Sequence, residues 1–276
     1  MRDEKSPLFD FSNYAVSLKY QFLFYLRSRR FIGLFLLVLI VSVAVSLLLI
    51  KYEYNFLKAG DSASFFNGYL STFAVTLVAL VAAFFGGDMA SMDFGTDSAY
   101  YSLVQPIRRS TLFLGRYTAA VILTFVIILV YYIAAIFTSV YLYDSVTLQV
   151  LTSLYLVFLL TMALVAFAGF FSSIFKSPLV GIIVTVLFVV LIIPIIQGIL
   201  SSFAGIEPWM FITYAGSIVS LVFLPNYPLK EVESARHFTT YIYNPSFNES
   251  IYIMLGYFVI FLALTVLIFS RREIKG

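Results

Sequence analysis

Long apolar stretches without a charged side chain recur from one end of this chain to the other. Each contains no Asp, Glu, Lys or Arg, and together they cover residues 31–50, 62–87, 117–143, 145–175, 177–206, 208–229 and 250–270. A helix of about 20 apolar residues is long enough to cross the hydrocarbon of a bilayer. The stretches lack the strict alternation of membrane-spanning strands. The sequence therefore predicts an all-α integral membrane protein.

Composition supports the same conclusion and removes several classes of function. Of the 276 residues, 62% are hydrophobic and 11% are charged, and the mean hydropathy is +1.00. A soluble domain is far less apolar than this, so membrane lipid is the expected surrounding and nucleic acid is not an expected partner. The absence of cysteine excludes disulfides and thiolate metal sites. The first apolar stretch lacks a small-residue cleavage pattern, which predicts a retained span.

One of the seven stretches is a poor candidate for a crossing. Only 16 residues separate Pro208 from Pro225, and Gly216 lies among them. Positive charge collects on the cytoplasmic side, and the basic segments RSRR and RREIK stand before the first span and after the last one. Both termini are therefore expected to be cytoplasmic in a multi-pass protein of the cell membrane. An even number of crossings makes the doubtful stretch a re-entrant or surface element on the outer side.

The predicted layout is a single membrane domain over residues 1–276 with six spans. Residues 1–30 mix aromatic side chains with Lys19, Gln21 and Arg27, which favours a cytoplasmic interfacial helix. The alternative is a plain extension of the first span. A cytoplasmic loop covers residues 88–116 and an outer segment covers residues 201–250. The spans are predicted at 31–50, 66–87, 117–143, 150–175, 179–200 and 251–270.

The spans lack an evident energy source of their own. No ionisable residue lies at mid-membrane depth, where carriers and pumps commonly place one. Pro194 marks either a break that exposes backbone for ion binding or, more simply, a helix kink. No Gly-Lys pair occurs, so the phosphate-binding loop GxxxxGK[ST] is absent. Any uphill transport would therefore depend on nucleotide hydrolysis by another chain.

The polar loop at residues 88–116 is far longer than a simple connection requires. Asp88 is placed to cap a short helix that begins at Met89. Met89, Met92 and Phe94 are apolar residues on a cytosolic loop, which is typical of anchors that dock into a groove of a partner. Arg108 and Arg109 mark the return to the membrane surface, and a positive-inside anchor is the simpler account of them.

Three short motifs in and after this loop resemble those of a known family. They are Asp93-x-Gly95-Thr96, Pro106-Ile107-x-Arg109 and Gly115-Arg116. Their order is similar to the acidic-x-GT…P[IV]xR…GK pattern of type-2 permeases of ATP-binding cassette (ABC) transporters. This chain has Asp at 93 where Glu is commoner and Arg at 116 where Lys is commoner. It also has about two extra residues between the first two motifs.

The resemblance implies a fold and a division of labour. It implies six spans, a coupling helix between spans two and three, and outer re-entrant helices between spans five and six. It also implies a permease that works as a homo- or heterodimer, is not itself an enzyme and has no cofactor, since separate ATPase subunits bind ATP and Mg²⁺. The expected activity is export of a hydrophobic or amphipathic substrate. The expected coupling residues are Asp88, Met89, Met92, Asp93, Phe94, Gly95, Thr96, Pro106 and Arg109.

Polar residues on the spans are candidates for the substrate path. The inner faces of spans one, two and five are the expected walls of that path. The candidates on these spans are Ser42, Ser46, Thr72, Thr76 and Gln197.

Two other classes of function stay open at the level of sequence. The first is a channel or secondary carrier that needs no ATPase. The second is a membrane hydrolase or transferase that uses His237 with zinc and the nearby Glu231, Glu233 and Glu249. A cation site at Asp88, Asp93 and Asp97 is not favoured, because Mg²⁺ or Ca²⁺ would need more oxygen ligands.

Overall fold

Six helices in the computed structural model are long and apolar enough to cross a membrane, which confirms the predicted all-α membrane fold. The structure describes residues 7–52, 61–91, 109–202, 204–235 and 238–271. A helix α1 (Pro7–Leu26) precedes the spans. The spans are α2 (Arg29–Tyr52), α3 (Ser62–Gly86), α4 (Arg109–Tyr143), α5 (Gln149–Ile174), α6 (Pro178–Ser202) and α9 (Phe247–Arg271).

The spans alternate in direction, so α1 and the last turn of α9 lie at the same end of the bundle. Arg30 at the start of α2 contacts Asp88 just after α3. Phe113 near the start of α4 packs against Phe269 near the end of α9, with ring centroids 5.6 Å apart. We call this end the loop end, because the segment at residues 88–116 begins and finishes there. The opposite end is called the hairpin end.

A turn separates α1 from the first span. α1 finishes at Leu26, and the side-chain oxygen of Ser28 accepts a hydrogen bond from the backbone N–H of Phe31 at 3.2 Å. Ser28 therefore caps the beginning of α2. The alternative of one continuous helix through residues 7–52 is wrong.

The core of the bundle combines aromatic packing with hydrogen bonds between spans. α5 is the central span, and its small residues allow α3 to approach closely. The Tyr131 hydroxyl on α4 donates to the Tyr69 carbonyl on α3 at 2.6 Å, and the Tyr69 hydroxyl donates to the Ser42 carbonyl on α2 at 3.0 Å. Such polar contacts link α2, α3 and α4, and they satisfy groups that lipid tails could not.

The segment between α6 and α9 enters the bundle from the hairpin end and leaves at the same end. It contains two short helices, α7 (Ile212–Gly216) and α8 (Ile218–Leu221). Gly216 lies against Val75, which is about 20 Å along α3 from its first residue at 1.5 Å per residue. Phe223 then stacks on Phe66 near the beginning of α3, with centroids 5.2 Å apart. These contacts confirm a re-entrant element in place of a seventh span.

The rest of the segment between α6 and α9 forms a β-hairpin that was not predicted. β1 (Lys230–Ala235) pairs antiparallel with β2 (Phe238–Tyr243), and Lys230 lies opposite Tyr243. The sequence prediction placed re-entrant helices at residues 208–225 and included no strands in the residues that follow them. The sequence FTTYIY is rich in β-branched and aromatic residues, which favour an extended strand.

A π-helical segment interrupts α6 without breaking it. It covers Leu187–Ile192 and lies immediately before Pro194, whose ring nitrogen has no hydrogen to donate. The helix continues through the proline to Ser202. The simpler expectation for Pro194, a local distortion of one helix, agrees with this arrangement.

The contact between α3 and α5 depends on the missing side chain of Gly86. A Cβ atom at this position would lie 2.6 Å from Ala168 Cβ and 3.0 Å from the Val165 carbonyl oxygen. We expect Gly86→Ala to lower the free energy of unfolding by about 1–3 kcal/mol, because the two helices must separate. Gly33→Ala on α2 is the matched control, since nothing lies within 4 Å of its added Cβ.

Thermal unfolding in detergent measures both variants. The Gly33→Ala control gains helix propensity, so its midpoint should stay level or rise. Equal midpoints for Gly86→Ala and Gly33→Ala would contradict the close approach of α3 and α5.

Candidate functional site

The predicted coupling loop begins in a tight turn that is buried at the loop end. α3 finishes at Gly86, and the backbone N–H of Gly87 donates to the Ala83 carbonyl at 2.8 Å. Residues 87–91 then pass beneath α5 and α6, and all five are buried. The start of the loop is thus part of the packed bundle.

The Asp88 carboxylate joins α1 and α2 to the end of α3. Its Oδ1 atom accepts a hydrogen bond from the Tyr25 hydroxyl at 2.8 Å, and its Oδ2 atom accepts one from Arg30 Nη1 at 2.8 Å. The side chain of Asp88 is nearly inaccessible, whereas that of Arg30 is 54% exposed. Asp88 was predicted to cap the coupling helix. Its carboxylate instead accepts hydrogen bonds from Tyr25 of α1 and Arg30 of α2.

Burial gives this carboxylate unusual acid–base properties. Removal from water raises the pKa of Asp88 from 3.8 to about 6, although the Tyr25 hydrogen bond and the charges of Arg30 and Arg116 oppose the rise. Burial and the neighbouring carboxylate raise the pKa of Tyr25 well above 10, so this hydroxyl stays protonated and acts as a donor. Asp88 therefore changes charge just below neutral pH.

The next three residues are held by α4 and α5. Arg116 Nη1 on α4 donates to the Met89 carbonyl at 3.0 Å. Ser172 Oγ on α5 accepts from the backbone N–H groups of Ala90 at 3.0 Å and Ser91 at 3.1 Å. A movement of the loop at residue 91 would therefore pull directly on α4 and α5.

The Met89 side chain is fully buried, so the expectation that it is an exposed docking anchor is wrong. Its terminal methyl lies against Gly169 of α5. A methionine fills such an irregular gap well because its unbranched chain is flexible. The sequence correctly indicated that Met89 contacts apolar surroundings. It did not reveal that the first turn of the loop folds back into the bundle.

The returning end of the loop is anchored on α1. The Ser17 hydroxyl donates to the Leu112 carbonyl of α4 at 3.0 Å, and the Tyr14 hydroxyl donates to Thr118 Oγ1 at 3.0 Å. Gly115 allows this contact, because a Cβ there would lie 2.7 Å from Ser17 Oγ. α1 thus contacts the chain on both sides of the loop, at Asp88 after α3 and at the beginning of α4.

The remaining predicted coupling residues are only partly described. Arg109 is the first residue of α4, and its side chain is not described. The others lie outside the described residues, and their coupling role stays a prediction. They are Met92, Asp93, Phe94, Gly95, Thr96 and Pro106.

Sequence reasoning missed the partners that hold the loop. Arg30 was read only as positive charge beside the first span, and Ser172 as an ordinary residue of span four in the apolar run 145–175. Nothing in the sequence distinguished Tyr25 from the other tyrosines, since the chain has 20 of them. Arg116 was identified through the family motif, and its contact with the Met89 carbonyl gives that position a structural role.

The candidate substrate-path residues lie on separate surfaces. Ser42 is buried and donates to the Val38 carbonyl, while Ser46 lies within hydrogen-bond distance of Tyr69 and Thr138. Thr72 and Thr76 are on the exposed face of α3. Gln197 Oε1 on α6 accepts from the Thr213 hydroxyl at 2.6 Å. The structure brings Ser42 and Ser46 together and leaves the path itself a prediction.

Acidic residues and histidine do not form a metal-binding group within the described part of the chain. Glu231 lies on β1 and Glu249 in the first turn of α9, while His237, Asp93 and Asp97 are outside the described residues. The zinc-dependent alternative thus gains no support from the described side chains.

A comparison with known protein families identifies the family of this chain. A family model described as ABC-2 family transporter protein matches residues 16–274, from α1 to beyond α9. The chain belongs to the ABC-2 family of transporter proteins. It is a multi-pass membrane subunit of an ABC transporter and not itself a catalytic chain. Membership of the ABC-2 family implies partnership with ABC ATPase subunits. A comparison with curated proteins finds no match.

Proposed function

We propose that this ABC-2 protein is the permease of an exporter that moves a hydrophobic or amphipathic substrate with energy from a separate ATPase. Two permease chains and two ATPase subunits form the working unit. ATP and Mg²⁺ are bound by the ATPases. The observation that carries the proposal is the anchoring of residues 87–91 to four helices at the loop end.

The contacts at the loop end supply a route from the loop to the spans. If an ATPase pushes the loop, Asp88 carries the displacement to α1 and α2 through Tyr25 and Arg30. Arg116 and Ser172 carry it to α4 and α5. Packed helices of this kind change between discrete arrangements, which suits a switch between inward and outward openings.

Exposed hydroxyl groups on α3 support a paired permease. Ser71, Thr72 and Thr76 lie on the accessible face of this span, although the rest of the helix is strongly apolar. The Ser71 and Thr72 hydroxyls donate to the Gly68 carbonyl of their own helix, and small polar residues such as Ser and Thr are enriched where one span packs against another. A second permease placed on this face would enclose Thr72 and Thr76 between the subunits.

Purification from native membranes tests the proposed function. The chain should carry with it an ATPase that hydrolyses Mg-ATP, whereas the chain stripped of that partner should not hydrolyse ATP. In proteoliposomes, solute movement should require both chains and nucleotide. Solute movement by the stripped chain without nucleotide would instead support a channel or secondary carrier.

Cysteine labelling should place the two ends of the bundle on opposite sides of the membrane. The natural chain has no cysteine, so single substitutions are clean reporters. Positions 58, 144 and 230 should react from outside intact cells, and positions 109, 176 and 271 only after permeabilisation. Asp144 and Lys230 are at the hairpin end, while Lys176 connects α5 to α6 at the loop end. Outside labelling of position 271 would contradict this orientation.

A further inference from the structure

A large open groove lies at the hairpin end between α9 and the segment that leads into α7. It has a volume of about 670 Å³. One wall is the face of α9 that carries Glu249, Tyr252, Gly256 and Ile260, and the other wall is formed by Trp209 and Met210. Cavities of this size hold small organic ligands or single lipid chains.

The groove has the length of one half of a bilayer. From Ser246 to Ile260 it follows 14 residues of chain, or about 21 Å at 1.5 Å per residue. It begins where α9 begins and reaches the middle of that span. Half of the hydrocarbon thickness is about 15 Å, so the groove extends from the headgroup region to the bilayer centre.

The apolar part of the groove is open rather than filled by the chain. Tyr252 is 74% exposed and Trp209 is 58% exposed, and Met210 and Ile260 are also exposed. A Cβ atom added to Gly256 would meet nothing within 4 Å. Tyr and Trp are the aromatic residues that favour the membrane–water boundary. An acyl chain fits such walls better than a polar ligand does.

The outer end of the groove is polar and negative. Ser246 and Asn248 lie beside Glu249, whose Oε2 atom accepts a hydrogen bond from the Ser246 N–H at 3.2 Å. Among the described residues, no basic side chain forms an ion pair with Glu249. A cationic headgroup could therefore bind the Glu249 carboxylate next to the apolar part of the groove.

We propose that this groove binds one lipid of the surrounding membrane, with its acyl chain along α9 and an amine-bearing headgroup at Glu249. The bound lipid would fill the space between span six and the re-entrant segment. The proposal is independent of the transported substrate, of the direction of transport and of the ATPase. It depends only on the geometry at the hairpin end.

Trp209 provides a direct readout, because it is the only tryptophan in the chain. The full-length protein is reconstituted in phosphatidylglycerol vesicles that contain a small fraction of brominated-chain lipid, which quenches tryptophan on contact. Brominated phosphatidylethanolamine should quench Trp209 well beyond its mole fraction and with saturation. Brominated phosphatidylglycerol should quench only in proportion to its mole fraction.

Two variants distinguish binding of the acyl chain from binding of the headgroup. Gly256→Leu fills the groove and should weaken apparent binding of the amine lipid at least about tenfold, because the leucine side chain occupies space that the acyl chain needs. Glu249→Gln should remove the preference for the amine lipid while quenching persists. Glutamine at this position keeps the capping arrangement with Ser246, so α9 should stay folded.

The matched control is Gly33→Leu, on an open face of α2 and equally free of neighbours. It should leave the quenching curves unchanged. Quenching that is proportional to mole fraction for both lipids, in wild type and Gly256→Leu alike, would mean contact with bulk lipid only and would overturn the proposal. Absence of quenching by either lipid would mean that a protein surface covers the groove, which also overturns it.

Discussion

Replacing Met92 and Phe94 together by aspartate should separate the permease from its ATPase. If these two apolar side chains insert into a groove of the partner, the double variant places two unpaired carboxylates in a dry contact. Anchors of this kind dominate interface energies, so the affinity should fall by a factor of about 100 or more. Membrane insertion should be normal, because both residues precede the return of the chain at Arg109.

Pull-down of the ATPase at matched membrane levels measures the effect. The control carries the same two charges at the hairpin end, Val146→Asp with Leu148→Asp, where both side chains are exposed between α4 and α5. Met89 is not included, because its burial against Gly169 would make the loss of folding indistinguishable from the loss of docking. Equal recovery of the ATPase with both double variants, together with unchanged ATP-dependent transport, would contradict the coupling assignment.

The spans could be predicted because their signal is a property of the chain alone. An apolar stretch of about 20 residues must be removed from water whatever its neighbours are. The re-entrant element was predictable for the same reason, since the prolines at 208 and 225 leave too few residues for a crossing. Basic residues at both ends of the chain then required an even number of spans.

The packing at the loop end could not be predicted, because it depends on residues distant in sequence. Arg116 immediately precedes an apolar stretch and was therefore placed outside the span, yet α4 begins at Arg109 and buries Arg116. Its charge is accommodated by the Met89 carbonyl, 27 residues away. Asp88 likewise has its partners 58 and 63 residues away, in α1 and α2. Local pattern carries no information about such pairs.

The β-hairpin was missed for a different reason. Residues 230–243 contain four charged residues among aromatic and β-branched ones, and in a chain of helices they were treated as part of an irregular outer segment. The strand preference of FTTYIY was present in the sequence. Lys230, which lies over the rings of Tyr241 and Tyr243 at 4.9 and 5.1 Å, adds a cation–π contact that only the paired strands create.

Ionisation of Asp88 should make the protein less stable as pH rises from about 4 to about 6. In the unfolded chain this carboxyl releases its proton near pH 3.8, whereas burial raises the folded-state pKa to about 6. Between these values the folded state binds more protons, so the free energy of unfolding falls with increasing pH. A rise of this pKa from 3.8 to about 6 corresponds to roughly 3 kcal/mol. Above pH 6 the buried, ionised carboxylate is stabilised by the hydrogen bond from Tyr25 and by the positive charges of Arg30 and Arg116.

Asp88→Asn isolates this contribution, because the amide has nearly the same shape and cannot ionise. Its unfolding midpoint in detergent should be less dependent on pH over this range than that of the wild type. Asp88→Ala should be less stable than Asp88→Asn at every pH, since asparagine keeps a side-chain oxygen that accepts from the Tyr25 hydroxyl, whereas alanine leaves that hydroxyl only the Phe85 carbonyl.

Asp61→Asn is the control for this measurement. Asp61 caps α3, and its hydrogen bonds with Ser64 lower its pKa below 3.8. It therefore contributes stability above that pH and loses it as pH falls, opposite in sign to Asp88. Because the Asp61 side chain is exposed, its effect should be small. Identical pH profiles for the wild type and Asp88→Asn would show that Asp88 is not a buried titrating group. The contact of the loop with α1 and α2 would then not depend on the charge of this carboxyl.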